Sequence, residues 1–122
     1  MGIVCKRIYD PATPEDGARV LVDHYWPRGM SKERAALAAW MKTIAPSPQL
    51  IAEFGHREGR WEEFRQQYFE ELAQPEHEDD LRQLQQWARE GRLTLLYAAR
   101  DTQHNNAVAL AQYLHGTRLD AG

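Results

Sequence analysis

Residues 19–32, with the sequence RVLVDHYWPRGMSK, constrain the fold of this chain more than any other stretch. Residues 20–22 form a short apolar run with two β-branched side chains, which is typical of a strand covered on both faces. Pro27 lacks an N–H group and ends such a strand by the preceding residue. Ser31 is then a good N-cap for a helix. The stretch predicts a buried strand, a polar turn and a helix start, the arrangement in which α/β proteins place their ligands.

Two other stretches, residues 3–9 and 92–99, are rich enough in apolar residues to predict strands. Downstream of residue 31, apolar side chains recur at positions 37, 40, 41 and 44, the spacing of one face of a helix. A helix is therefore predicted over residues 31–44. Similar periodicity predicts further helices at residues 49–54, 61–73, 76–90 and 102–116.

This order of elements predicts an α/β fold with a small, mainly parallel sheet of three or four strands flanked by helices. The 122 residues fit a single domain, which we place at residues 1–116. A chain of this length buries roughly two thirds of its unfolded surface. Residues 117–122 follow the helix stop at Gly116 and are predicted to form a frayed tail.

Composition limits the class of protein and its partners. The formal net charge of −3 disfavours nucleic acid without excluding it, so any cationic site must be local. The single cysteine, Cys5, precludes an intrachain disulfide and is typical of a reducing compartment. The N-terminus has no signal-peptide core, and no run approaches the ~18 apolar residues of a membrane span. We therefore expect a cytoplasmic protein without a membrane partner.

Two of the three predicted strand ends are polar and run into a helix start, at residues 23–28 and 100–106. Ligands of α/β folds bind outside the carboxyl ends of the strands, so these segments predict one site. Helix N-termini with nearby cations favour an anion, and an anionic small molecule is the predicted ligand. The candidate ligand-binding residues are Arg7, His24, Trp26, Arg28, Lys32, Arg100, Asp101, Asn105 and Asn106.

An enzymatic version of this site assigns catalysis to Asp23 and His104 as acid and base, with Arg28 and Arg100 clamping the anion. A helix N-terminus disfavours imidazolium, so a neutral His104 in the first turn of its helix could act as base or donor. Arg7 joins the site only if the first strand lies beside the second.

A structural interpretation competes at each position. Asp23 can simply hold the turn together through nearby backbone amides, and Arg28 can pair with Asp23 or with Asp101. Asp101 or Thr102 can serve as a plain N-cap, and His104 as a capping or network residue. The sequence leaves both interpretations open.

Other kinds of chemistry find little support in the sequence. The chain has no Walker loop, no GxGxxG and no GxSxG motif, and we predict no cofactor. Its five histidines lack metal-type spacing, and Cys5 is interpreted as a small apolar filler in mid-strand, so no metal site is predicted. Of the four tryptophans, Trp26 alone lies where it could stack on a ligand, and the others are assigned to the core.

Several blocks together resemble a known family. They are WPRG at residues 26–29, flanked by VDHY and MSK, then FGH at 54–56, LYAA at 96–99 and HNNA at 104–107. In this order and spacing they are similar to the DUF488 family, in its short YeaO-like branch, over nearly the whole chain. The family is defined without a known function, so the resemblance implies a shared fold and pocket but no reaction.

Longer members of the wider family have an Asp-x-Arg block after the middle strand and a Cys-His-Arg block after the last one. The resemblance implies that Asp23 and His104 occupy the corresponding places. This chain has His24 where the branch usually has Arg, Arg100 where Lys is common and Ala38 where Asp is frequent. The missing cation at position 24 weakens a charge-dependent role there.

Two hypotheses follow. The protein binds a phosphorylated or other anionic ligand at the carboxyl ends of its strands, as a binding protein or as a hydrolase or nucleic-acid-processing enzyme. Alternatively, it is a non-enzymatic interaction module whose polar cluster stabilises the fold.

Overall fold

A computed structural model describes the protein at residues 2–54 and 59–116. Within these ranges a four-stranded parallel sheet has the strand order β1–β4–β2–β3. The strands are β1 (Gly2–Arg7), β2 (Ala18–Leu21), β3 (Ala39–Trp40) and β4 (Arg92–Tyr97). The predicted α/β fold with a small parallel sheet is confirmed, and all three predicted strands are present.

β4 lies inside the sheet, paired with β1 on one side and with β2 on the other. Its residues Leu93, Leu95 and Leu96 are fully buried, as a strand flanked on both edges and covered on both faces requires. Because β4 separates β1 from β2, the arrangement that would bring Arg7 beside the second strand is not formed. The condition under which Arg7 would join the site is therefore not met.

The described part of the chain contains five α-helices, and the last four of them correspond to predicted helices, although the last begins four residues later than predicted. They are α1 (Lys32–Ala35), α2 (Pro48–Phe54), α3 (Trp61–Leu72), α4 (Glu78–Glu90) and α5 (Asn106–Gly116). The frayed tail predicted at residues 117–122 lies outside the described residues.

Separate apolar clusters cover the two faces of the sheet. Successive residues of a strand point to opposite faces, and Val20 packs in the larger cluster whereas Leu21 packs in the smaller one. The larger cluster joins α2, α3, α4 and α5 to the sheet. Within it, the fully buried Tyr68 hydroxyl donates a hydrogen bond to the Ile44 carbonyl oxygen at 2.7 Å. The smaller cluster includes Met30 and lies beside α1.

The helix predicted at residues 31–44 is wrong beyond its first turn. It ends before Ala36, which takes a left-handed conformation with a φ of 48°. Residues 39–40 instead form β3 on the edge of β2. The apolar residues have helical spacing but contact different clusters, Leu37 the smaller and Ile44 the larger. Tertiary pairing with β2 has overridden the local periodicity.

A buried charged cluster ties β1, β2 and α1 together. Asp16 is 6% exposed, and its carboxylate accepts hydrogen bonds from Arg19 at 2.6 Å, from Lys6 at 3.0 Å and from the Thr13 backbone at 3.1 Å. Arg19 is 4% exposed and also donates to the Ala35 carbonyl oxygen at 3.0 Å. The cluster positions the start of β2 and hence the loop that follows this strand.

Candidate functional site

Asp23 lies just after β2 and connects three elements. Its Oδ2 accepts a hydrogen bond from the Ala98 backbone N–H at 2.9 Å, and its Oδ1 accepts one from Asn106 Nδ2 at 3.0 Å. The same Asn106 amide donates to the Val22 carbonyl oxygen at 2.8 Å. Ala98 follows β4 and Asn106 begins α5, so the carboxylate joins the ends of two strands to the start of the last helix.

Burial raises the pKa of Asp23 above its ordinary value, although the hydrogen bonds from Asn106 and from the Ala98 N–H act in the opposite direction. A raised carboxyl pKa occurs in catalytic acids, and it is equally expected for any carboxylate enclosed in a fold. The hydrogen bonds of Asp23 distinguish a catalytic acid from a structural carboxylate better than its pKa does. Each oxygen of Asp23 already holds one donor of the protein itself.

His104 lies in the turn before α5, not in the first turn of the helix as predicted, because α5 begins only at Asn106. Asp101 organises this turn, since its Oδ1 accepts the backbone N–H groups of Gln103 and His104 at 2.9 and 3.0 Å. Its Oδ2 faces His104 Nδ1 at 3.2 Å. The backbone hydrogen bonds hold the pKa of Asp101 below its ordinary value. The exposed His104 ring rests against Trp61, with the ring centroids 5.2 Å apart.

Asn105 caps α5, a role that the sequence assigned to Asp101 or Thr102. Its Oδ1 accepts the Val108 N–H at 2.9 Å, and its Nδ2 donates to the Asp101 carbonyl oxygen at 2.9 Å. A protein acceptor therefore already occupies the helix N-terminus on which the predicted anion site depended.

Arg7 is also bonded within the protein. Its Nε donates to the Ala99 carbonyl oxygen at 2.9 Å, and its Nη2 donates to the Ala98 carbonyl oxygen at 3.1 Å. The guanidinium lies over the Tyr9 ring, 5.3 Å from the centroid. Arg7 thus holds the segment that leaves β4 instead of reaching the loop after β2.

Three predicted cations, Arg28, Lys32 and Arg100, are exposed. The side chains of Arg28 and Arg100 form no hydrogen bond or ion pair within residues 2–54 and 59–116, so the suggested pairing of Arg28 with Asp23 or Asp101 is wrong. The Arg28 backbone is fixed, since its carbonyl oxygen accepts the Tyr9 hydroxyl at 2.9 Å. All three side chains thus present charge to solvent.

An aromatic patch, formed by His24, Tyr25, Trp26 and Trp40, occupies the loop after β2 and the neighbouring strand β3. Trp26 and Trp40 meet edge to face with centroids 5.3 Å apart, and His24 meets Tyr25 in the same manner at 4.6 Å. Trp40 was assigned to the core, which is wrong, because β3 leaves it 37% exposed. Sequence reasoning also passed over Tyr25, although an aromatic residue in a polar turn is a signal of recognition.

A cavity of about 290 Å³ lies beside the segment after β1 and is lined by Ile8, Tyr9, Met30, Arg34 and neighbouring residues. None of the predicted site residues lines it. Within residues 2–54 and 59–116, no group of three or more His, Cys, Asp or Glu residues is placed to hold a metal ion. Burial raises the pKa of the Cys5 thiol to about 11, which suits an apolar filler.

No helix in the described ranges combines the length and the apolar character needed to span a membrane.

The residues predicted as one site fall into two groups. One group is hydrogen-bonded within the protein and comprises Arg7, Asp23, Asp101, His104, Asn105 and Asn106. The other comprises the exposed cations Arg28, Lys32 and Arg100, together with the half-buried His24 and Trp26 of the aromatic patch.

A family model described as "Inactive DUF488-N3 subclade" matches residues 2–121. The chain belongs to this DUF488 subclade. It is 46% identical over 114 residues to the uncharacterized protein YeaO of Escherichia coli strain K12, covering 93% of this chain and 97% of the relative. It is also 38% identical over 112 residues to uncharacterized proteins of Mycobacterium bovis and of Mycobacterium tuberculosis strain H37Rv, covering 90% of this chain and 91% of each relative. No solved structure matches the chain significantly. The predicted resemblance to the YeaO-like branch of DUF488 proteins is confirmed.

Proposed function

We propose that this DUF488 protein is a non-enzymatic interaction module in which the polar cluster around Asp23 is structural. The observation that carries the proposal is the position of Asp23, whose two oxygens accept the Ala98 N–H and the Asn106 amide. A general base needs a lone pair directed at the substrate proton. One lone pair of each oxygen is engaged in joining β2, β4 and α5, which fixes the carboxylate as a connection within the fold.

The second candidate for acid–base chemistry supports the same conclusion. The His104 ring is exposed and contacts Asp101 and Trp61, whereas Asp23 is half-buried and bonded to Ala98 and Asn106, and no hydrogen bond among the described residues joins Asp23 to His104. An acid and a base that act on one substrate must converge on it. The word "Inactive" in the description of the family model is in keeping with this separation.

The test compares two variants by urea unfolding. Asn106→Ala removes both donations of the amide and leaves the Asp23 carboxylate buried with one donor fewer, so a loss of about 2 kcal/mol in the free energy of unfolding is expected. His104→Ala changes an exposed ring and should stay within about 0.5 kcal/mol of wild type. Equal stability of the two variants would argue against a structural role for the cluster.

A turnover assay completes the test. Wild-type protein incubated with p-nitrophenyl phosphate and bis(p-nitrophenyl) phosphate should release no nitrophenol above the buffer rate. Release that disappears in a folded Asp23→Asn variant would restore the enzymatic hypothesis, because that substitution keeps the shape of the side chain and removes its basic oxygen.

Anion binding is a second candidate function, supported by the exposed Arg28, Lys32 and Arg100 side chains. The capped start of α5 contributes less to it than predicted, so the cations would act mainly through charge. Titration with inorganic phosphate, followed by amide chemical shifts, should move the resonances of residues 28–32 if this binding occurs. Uniformly small shifts across the protein would count against it.

A further inference from the structure

Exposed aromatic surface is concentrated in the aromatic patch. In the described part of the chain three large apolar side chains are strongly exposed, and two of them, Tyr25 at 68% and Trp40 at 37%, belong to the patch. Exposing such rings to water is unfavourable, and residues that bind partners are disproportionately found on loops such as the one that carries Tyr25.

The patch is held in place by the hydrogen bonds of its own indoles. Trp26 Nε1 donates to the Met30 carbonyl oxygen at 2.7 Å, and Trp40 Nε1 donates to the Asp23 carbonyl oxygen at 2.8 Å. Both indole N–H groups are thereby used inside the protein. What remains for a partner is ring surface in a fixed position, and a preorganised surface loses little conformational entropy on binding.

The segment that carries the patch, residues 24–45, is rich in cations although the chain as a whole is anionic. Residues 24–45 contain four cationic side chains, Arg28, Lys32, Arg34 and Lys42, and a single anionic one, Glu33. Their formal net charge is therefore +3, whereas the whole chain carries −3. Lys42 Nζ lies over the Trp40 ring, 5.6 Å from its centroid. One cation thus lies directly beside an exposed ring, and the other three belong to the same segment of the chain.

We infer that the aromatic patch binds single-stranded nucleic acid, with bases stacking on Tyr25 and Trp40 and phosphates contacting Arg28 and Lys42. The inference rests on the proposed function and names the partner of the interaction module. Aromatic rings interleaved with cations are the arrangement that stacks bases and tracks the phosphate backbone. An acidic peptide would use the cations but would leave the flat rings without a matching group.

The global charge, which disfavoured nucleic acid at the level of the sequence, is compatible with this inference. The remainder of the chain carries a net negative charge and repels a polyanion, so the +3 segment is the place where a strand can approach. Residues 24–45 offer few cations for a long contact, and we expect a short binding site and modest affinity.

The experiment measures binding of a fluorescein-labelled ten-nucleotide oligothymidylate by anisotropy, at several salt concentrations. Tyr25→Leu keeps apolar bulk but loses the flat ring, so it should weaken binding about fivefold or more, while Tyr25→Phe should bind like wild type. Arg28→Ala should weaken binding and reduce the slope of log K against log salt by about 0.7. Arg82→Ala, an exposed arginine on α4, is the matched control and should change neither quantity. Circular dichroism verifies that each variant is folded.

Where the oligonucleotide does bind, two results would still overturn the inference. One is binding that Tyr25→Leu leaves unchanged, and the other is equally tight binding of polyglutamate, which would show that the surface responds to charge alone. Gel analysis of the oligonucleotide after titration separates this inference from the proposed function. Cleaved oligonucleotide would refute the non-enzymatic proposal and support nucleic-acid binding, whereas intact oligonucleotide without binding would refute the inference alone.

Discussion

Replacing Asp16 by asparagine should destabilise the protein strongly at neutral pH. The carboxylate accepts from Arg19 at 2.6 Å and from Lys6 at 3.0 Å, and both Asp16 and Arg19 are buried. The neutral amide would leave the buried guanidinium without its anion, and breaking such a pair from one side costs about 3 kcal/mol. Urea unfolding at pH 7 measures the loss. Glu15→Gln, in the same turn but exposed, is the control and should stay within about 0.5 kcal/mol.

The comparison of wild type with Asp16→Asn also predicts that stability depends on pH. Burial raises the pKa of Asp16, but hydrogen bonds from the Thr13 backbone, Lys6 and Arg19 outweigh it and lower the pKa from 3.8 to about 2. A carboxyl whose pKa is depressed by folding stabilises the native state above its unfolded pKa, and this contribution is lost as the pH falls toward its folded pKa. The shift corresponds to roughly 2 kcal/mol. The stability difference between wild type and Asp16→Asn should therefore be constant above about pH 5 and narrow by roughly that amount between pH 4 and pH 2.

Two results would refute this reasoning. Equal midpoints of urea unfolding for wild type and Asp16→Asn at pH 7 would mean that the cluster contributes no net stability. A difference that persists undiminished at pH 2 would mean that charge on Asp16 is not its source.

Two further substitutions test backbone conformation and a buried hydroxyl. Gly17→Ala should destabilise by more than about 1 kcal/mol, because the φ of Gly17 is +65° and an added Cβ would lie 2.2 Å from the Arg92 carbonyl oxygen. Gly29→Ala is the control, because the φ of Gly29 is +74° but nothing lies within 4 Å of the added Cβ. In thermal unfolding, Gly29→Ala should lose less stability than Gly17→Ala. Tyr68→Phe should lower the free energy of unfolding by about 1–2 kcal/mol, because the Ile44 carbonyl oxygen loses its buried donor. If urea unfolding shows the same stability as wild type, this hydrogen bond contributes nothing.

The longer elements could be predicted from the sequence because their patterns are local. The apolar runs of β2 and β4 reflect burial on both faces of the sheet, and the periodicity of α3 and α4 reflects burial of one helix face against the larger cluster. β3 could not be predicted in this way. It has only two residues, and its pairing with β2 depends on the left-handed turn at Ala36. Alanine rarely takes a left-handed conformation, so the sequence gives no local signal for this turn.

The candidate site was also difficult to predict, because the contacts of its residues are not local in the sequence. The polar residues at the two strand ends were identified, but their partners are set by tertiary contacts. Asp23 bonds to Ala98 and Asn106, which are distant in sequence, and no local pattern decides between this connection and a ligand contact. The start of α5 at Asn106 moved His104 into a preceding turn, since Asn105 and not Asp101 caps the helix.

The central position of β4 bears on how the chain reaches its fold during synthesis. β1 leaves the ribosome before the other three strands of the sheet, yet within the described ranges its backbone pairs only with β4. Until residues 92–97 emerge, β1 has no strand to pair with, whereas β2 and β3 can already associate. Closing such a long segment is entropically costly and slows folding. Nascent chains that stop before β4 should therefore remain unfolded at the N-terminus and be vulnerable to proteases, and protection should appear abruptly once β4 is complete.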